Sequence, residues 1–284
     1  MRREGRTAFD YFNHILLLIL GVLTLYPFWY VLVISISTEK AFYADMYHVI
    51  PRSFTLDTFV YALTNPAILR SSLVSVTITV LGTVLSMILT TMGAYVLSKK
   101  DLVGRNLFFR LIIFTMFFNG GLIPWYITVT SIGLRDTMMA LFIPTAINTF
   151  NLILMKNYFT TIPQALEESA KIDGCNDLQV LVKVVIPTAK PIVATITLFN
   201  AVFFWNDFFA ALILTSNNKL YPLSLVLRNM VLSTTNFMAV GLQRTLPDTI
   251  RAAVIIISIV PIMLVYPFIQ KYFVQGIMLG SIKE

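Results

Sequence analysis

Polar and apolar positions in this chain fall in long blocks, with neither the alternation of strands nor the narrow stripe of a surface helix. Runs with little or no charge cover about residues 15–37, 71–97, 107–129, 138–155, 192–214 and 252–272. An α-helix needs roughly 20 residues to cross a bilayer, so each block predicts one span. The expected architecture is an all-α polytopic membrane protein, with six transmembrane helices in one domain over 1–284. The first block is longer than a signal peptide's apolar core, and no small-residue cleavage site follows it. It reads as a retained span.

Composition agrees with the pattern. The chain is 57% hydrophobic and 12% charged, against roughly 25% charged in soluble domains. The net charge of +7 does not point to nucleic acid, because excess Lys and Arg is what cytoplasmic loops carry. With the N-terminus inside, Arg2, Arg3, Arg6 and the basic run at 99–110 lie on the cytoplasmic side. The same orientation puts the loop 156–191 in the cytoplasm. One cysteine, Cys175, excludes an internal disulfide, and two histidines far apart offer no metal site.

The block from Thr161 to Pro191 interrupts the apolar pattern with Glu167, Glu168, Lys171, Asp173, Asp177, Lys183 and Lys190. Thr161-Ile-Pro-Gln164 has the form of a capping box. Pro163 suits a first turn, and Gly174 suits a left-handed stop. These predict a helix over about 162–173. At 100° per residue, Gln164, Glu167, Glu168 and Lys171 share one side, and Ala165, Leu166, Ser169, Ala170 and Ile172 share the other. Asp173 falls among the second group. A face of small residues suits close docking on another protein. The alternative, a helix lying on the membrane surface, usually has large apolar anchors and a basic polar face. Asn176-Asp177 predicts the cap of a second helix to Ile186, with Pro187 and Pro191 after it.

Asp207 is the one acidic residue inside a predicted span, and intramembrane charge marks a cavity or a partner. Around it lie Asn200, Phe203, Phe204, Trp205, Asn206 and Phe208, aromatic faces and amides that suit sugar rings and hydroxyls. Packing against lipid or inside the bundle is the alternative for the aromatic residues. Asn119, Trp125, Tyr126, Asn148 and Asn151 are further candidates from the third and fourth spans. Asn119-Gly120-Gly121 and Pro124 break the third span, and a helix break tolerated inside protein is the alternative for Asn119. Tyr221, Arg228, Asn229, Arg244 and Asp248 are candidate docking or gating groups in the polar connection 215–250.

Glu168-Ser-Ala-Lys-Ile-Asp-Gly174-Cys, followed by Ile186-Pro187 and Pro191, resembles the EAA motif of ABC importer permeases. That motif reads roughly E-A-A-x-x-D-G-A, a spacer, then an apolar residue and Pro; here Ser169 and Cys175 replace Ala. Phe118-Asn-Gly-Gly-Leu-Ile-Pro124, Trp205-Asn-Asp-Phe208 and Gln270-Lys-Tyr-Phe-Val-Gln-Gly276 resemble segments of carbohydrate-uptake permeases. The resemblance spans nearly the whole chain. It is nearest to the six-span maltose-type subunit, and within that group to permeases for aldouronate or related plant oligosaccharides.

The resemblance implies a type I ABC importer permease fold with both termini cytoplasmic, in a bacterial cell membrane. It implies a second permease, two ATP-binding subunits and an extracellular lipid-anchored or periplasmic solute-binding protein that delivers an oligosaccharide. The helix near 161–174 would be the coupling helix, with Leu166, Glu167, Glu168, Ser169, Ala170, Asp173, Gly174 and Pro187 as its working residues. ATP–Mg would belong to the partner ATPase. The chain itself contains no G-x-x-x-x-G-K-[ST] phosphate loop, so a non-catalytic subunit without a cofactor is expected. The C-terminal tail would reach between the ATPase subunits. A non-sugar solute and an ion-driven secondary transporter are the alternatives. The latter usually has inverted repeats and several intramembrane charges, and this chain has no visible repeat.

Overall fold

The computed structural model describes residues 8–44, 48–232 and 247–281. Arg2, Arg3, Arg6 and Arg244 lie outside them. The described residues are mostly helical, and one isolated antiparallel bridge joins Ser37 and Phe54. The chain divides into two compact units, Met1–Leu69 with Asn229–Val260, and Arg70–Arg228 with Pro261–Glu284.

The first unit contains α1 (Ala8–Ser35), α2 (Glu39–Ala44) and α3 (Asp57–Thr64). Helix α1 is apolar on every side and keeps Leu18, Leu23 and Leu25 exposed. A helix of that kind is covered by lipid or by protein. Its end is fastened to the following turn: Thr58 Oγ1 donates to the Ser35 carbonyl at 2.5 Å, and Trp29 Nε1 donates to the Val49 carbonyl at 2.9 Å.

Helix α4 (Pro66–Ser98) runs without interruption through the second expected span. The third expected span is two helices, α5 (Arg105–Phe117) and α6 (Leu122–Ser131), bent by 115°. The break follows from Asn119-Gly120-Gly121. Phe118 is extended, Gly121 has φ +89°, and the Asn119 side chain accepts the Gly121 N–H at 2.9 Å.

The fourth expected span, 138–155, is not one helix. A 3₁₀ turn at Met138–Leu141 is followed by non-helical residues, and α7 (Thr149–Phe159) starts only after Asn148. Pro144 forbids a continuous helix there, and the Asn148 side chain caps α7 by accepting the Asn151 N–H at 3.0 Å. Hydropathy sees one block because the turn residues are also apolar.

Next come α8 (Gln164–Ile172) and α9 (Asp177–Thr188), then α10 (Lys190–Asn206), which turns by 90° from α9. Residues Leu181–Val185 are wound as a π-turn, so the Ile186 N–H bonds the Leu181 carbonyl. Pro187 has no N–H to offer Lys183, and its ring would clash with that carbonyl; the wider turn accommodates both effects. Helices α11 (Phe209–Leu214), α12 (Leu223–Leu232) and α13 (Asp248–Ser281) complete the chain. Among the described residues, three helices are long and apolar enough to cross a membrane, or up to five if each bent pair counts as one span.

The second unit has two apolar cores. One gathers Val74, Ile78, Val129, Phe142, Phe204, Leu214 and Leu225. The other gathers Tyr95, Met155, Phe159, Val180, Val185 and Ile196, and it seats the loop between α7 and α10. Small residues let the helices close on each other: a Cβ on Gly82 would stand 2.9 Å from the Phe204 ring, and one on Gly93 2.9 Å from Leu152.

Candidate coupling site

The 156–191 loop is locally well determined. Helix α8 ends in a Schellman motif: the Cys175 N–H bonds the Ala170 carbonyl and the Gly174 N–H bonds the Lys171 carbonyl, both at 3.0 Å. Gly174 holds φ +85°, which glycine alone adopts without strain. Asn176 and Gln179 form a reciprocal capping box at the start of α9, at 2.9 and 3.0 Å. The Gly174 stop and the Asn176 cap were legible in the sequence; the Gln179 half of the box is added by the structure. The box expected at Thr161 does not form. Pro163 is the N-cap residue with no side-chain bond, and the Thr161 hydroxyl donates to the Tyr158 carbonyl at 2.7 Å. A tight turn at 158–162 puts that hydroxyl closer to the preceding helix than to α8.

The helix is also rotated from the expected register. Ala170 is buried in the second core, and Glu167 points inward, its side chain 14% exposed. Glu167 ion-pairs with Lys99, and its carboxylate also accepts the Tyr95 hydroxyl at 3.4 Å. The Lys99 ammonium lies 3.9 Å from the centre of the Tyr95 ring. Burial, and then Lys171, lowers the Lys99 pKa, with Asp177 opposing them. Glu167 and Ala170 are three residues apart and so share a face; Ile162 and Cys175 pack into the same core on either side of them.

The outward face of α8 carries Leu166, Ser169, Ile172 and Asp173. Ile172 is 87% exposed and Leu166 45%. Leu178 on α9 is also exposed, beside Met92, Tyr95 and Lys171. Glu168 is exposed on the rim of the cleft beside the 98–101 turn. Lys171 reaches Asp177 at 2.8 Å, and its hydrogen bond and charge hold that carboxyl below the usual aspartate range. Pro187 is exposed at the α9 turn. Lys99 and Tyr95 escaped the sequence reading; the basic run at 99–110, opposite an acidic helix, was the available signal.

Nine of the candidate solute contacts, traced in turn, do not meet on one surface. Phe204 is 2% exposed and packs on Gly82. Asn151 Nδ2 donates to Asn200 Oδ1 at 2.9 Å, joining α7 to α10 in the interior, and Asn200 Nδ2 lies 3.6 Å from the Met87 sulfur. Asn148 caps α7. Asn206 donates to the Val202 carbonyl at 2.8 Å, and Asp207 Oδ1 accepts the Phe209 N–H at 2.9 Å where α10 gives way to α11. Trp125 packs against the first core. Trp205 lines an apolar groove with Val76, Val80 and Pro261, and Asn119 is exposed at the α5–α6 break.

The comparisons give the family of this arrangement, a capped polar loop seated between apolar helices. Residues 82–279 match the binding-protein-dependent transport system inner membrane component; the chain belongs to that family. It is 43% identical over 285 residues to protein LplC of Bacillus subtilis, covering 99% of this chain and 96% of that one. It is 42% identical over 280 residues to the polygalacturonan/rhamnogalacturonan transport system permease protein YtcP of the same species, covering 97% and 98%. Among solved structures, it matches a chain in the crystal structure of a bacterial ABC transporter involved in import of the acidic polysaccharide alginate. The TM-score is 0.88, with 37% identity, 96% of this chain and 100% of that chain covered.

Proposed function

We propose that this chain is one of two permease subunits in an ATP-driven importer of oligosaccharides, and that uronate-bearing oligosaccharides are its cargo. Six spans with both termini cytoplasmic, a second permease, two ATPase subunits and an extracellular binding protein complete the reading. The outward face of α8 carries it: a helix fixed at its end by Gly174, with Leu166, Ser169 and Ile172 exposed together, fits a cleft on an ATPase. ATP–Mg belongs to that ATPase. Its closure would carry α8, and with it α7 and α10, as packed elements. The cargo class is supported by two relatives, one named for polygalacturonan/rhamnogalacturonan and one for alginate.

The test is to purify the chain from its native membrane under mild conditions, identify what comes with it, and reconstitute the complex. Co-purification of a second permease and an ATPase is expected. So is ATP hydrolysis stimulated by the binding protein loaded with a uronate oligosaccharide, and not with a neutral maltodextrin. A chain that takes up solute alone on an ion gradient would overturn the reading. Stimulation by the neutral sugar alone would overturn the cargo class.

A further inference from the structure

The turn after α4, the start of α5, the end of α7 and the inner side of α8 frame a basic cleft, three of whose cations have no role in coupling. It encloses about 390 Å³ and is lined by Lys99, Lys100, Arg105, Lys156 and Lys171, with Asp101, Glu167 and Glu168 as its acids. Two of the cations are already matched, Lys99 by Glu167 and Lys171 by Asp177. Among the described residues, Lys100, Arg105 and Lys156 have no carboxylate within ion-pair distance. Arg105 Nε donates to the Leu97 carbonyl at 3.0 Å, which leaves its two terminal nitrogens available. Lys156 Nζ stands 4.6 Å from the centre of the Phe109 ring and 3.3 Å from the Asn157 side-chain oxygen. Burial, and then Arg105, lowers the Lys156 pKa. Like charges gathered in a partly dry cleft repel one another, and an anion among them relieves both the repulsion and the desolvation.

The cleft lies where Ser98 ends α4 and Arg105 begins α5, the level at which lipid headgroups meet a spanning helix. Along α5 from that point, Leu107, Phe108 and Leu111 are exposed, an apolar track that starts at the cations. Basic pockets between transmembrane helices next to such tracks suit anionic headgroups. We propose that this cleft holds the phosphate of an anionic membrane lipid, with Lys100, Arg105 and Lys156 as its ligands and the Leu107–Leu111 face along an acyl chain. The proposal rests on α4 and α5 lying in the membrane, and on neither the cargo nor the ATPase.

Native mass spectrometry of the whole transporter in nanodiscs tests it, with phosphatidylcholine alone or mixed with phosphatidylglycerol. The wild type is expected to retain a phosphatidylglycerol bound to this chain through mild activation. The double substitution Lys100→Gln with Lys156→Gln should weaken that binding by about tenfold or more. Replacing both with Arg should keep it, which separates loss of charge from loss of fold. If the double Gln variant does not assemble, Lys100→Gln alone, at an exposed position, should show a several-fold loss. Equal retention by wild type and Gln variants would overturn the site. Binding of inorganic phosphate with no preference for phosphatidylglycerol over phosphatidylcholine would overturn the lipid assignment.

Discussion

The Glu167 carboxylate takes the ammonium of Lys99, so the helix α8 is tied to the end of α4, 68 residues earlier in the chain. Chain connectivity alone would pass a push on α8 to α7 and α10. This ion pair, with the Tyr95 hydroxyl beside it, adds α4 to the elements that must move with it.

A double-mutant cycle on this pair, Glu167→Gln against Lys99→Met, should give a coupling energy of about 1–2 kcal/mol in thermal unfolding of the complex. That lies between the values for exposed and buried pairs, as the partial exposure of both side chains requires. Uptake per ATP hydrolysed should fall in either single variant. Additive single effects would show that the pair transmits nothing.

Gly174 separates strain from sterics. A Cβ there would meet nothing within 4 Å, yet φ is +85°. Gly174→Ala should therefore cost about 1–2 kcal/mol from backbone strain alone, Gly174→Asn less, and Gly174→Val more. The order Asn, Ala, Val should reappear in the ratio of transport to ATP hydrolysis at equal membrane abundance. Wild-type coupling in the Val variant would remove the glycine stop from the mechanism.

Gly82 gives the opposite case. Its added Cβ would lie 2.9 Å from three atoms of the Phe204 ring, so Gly82→Ala should destabilise by about 1–3 kcal/mol through overpacking. Phe204→Leu should partly restore stability in the Gly82→Ala background. Scanning calorimetry of the detergent-solubilised complex would check the non-additivity.

Asp136 should make one loop contact acid-sensitive. Its carboxylate accepts the Ser216 N–H at 2.5 Å and the Thr215 hydroxyl at 3.1 Å, and its own N–H donates to Leu214. The Ser216 amide is the main cause of a pKa below the usual aspartate value; burial opposes it, and the bonds from Thr215 and Asn217 add to it. A carboxyl with a lowered folded pKa contributes its stability above the unfolded pKa and loses it as pH falls through the folded one. The protection of the Ser216 and Asn217 amides, exchange measured relative to the intrinsic rate, should be constant near neutral pH and fall only below the ordinary aspartate range. Asp136→Ala should give the fast limit at all pH values.

Much of this protein is written locally. The apolar blocks are longer than a soluble core requires, so a membrane class follows from the cost of leaving backbone groups unpaired in lipid. The Gly174 stop and the Asn176 cap are readable because each closes over a few residues. Hydropathy, however, records burial and not direction. The break at Asn119–Gly121 was readable from its residues, but its 115° angle was not, nor was the non-helical stretch before Asn148. Nor could hydropathy say which way α8 faces, because Glu167 turns toward Tyr95 on α4 and Lys99 just after it. Asn151 and Asn200 could equally have met a solute, but the packing of α7 on α10 brings them to each other. Such pairs lie 49 to 80 residues apart in sequence, so only the packing of whole helices decides which polar groups bond each other inside the protein.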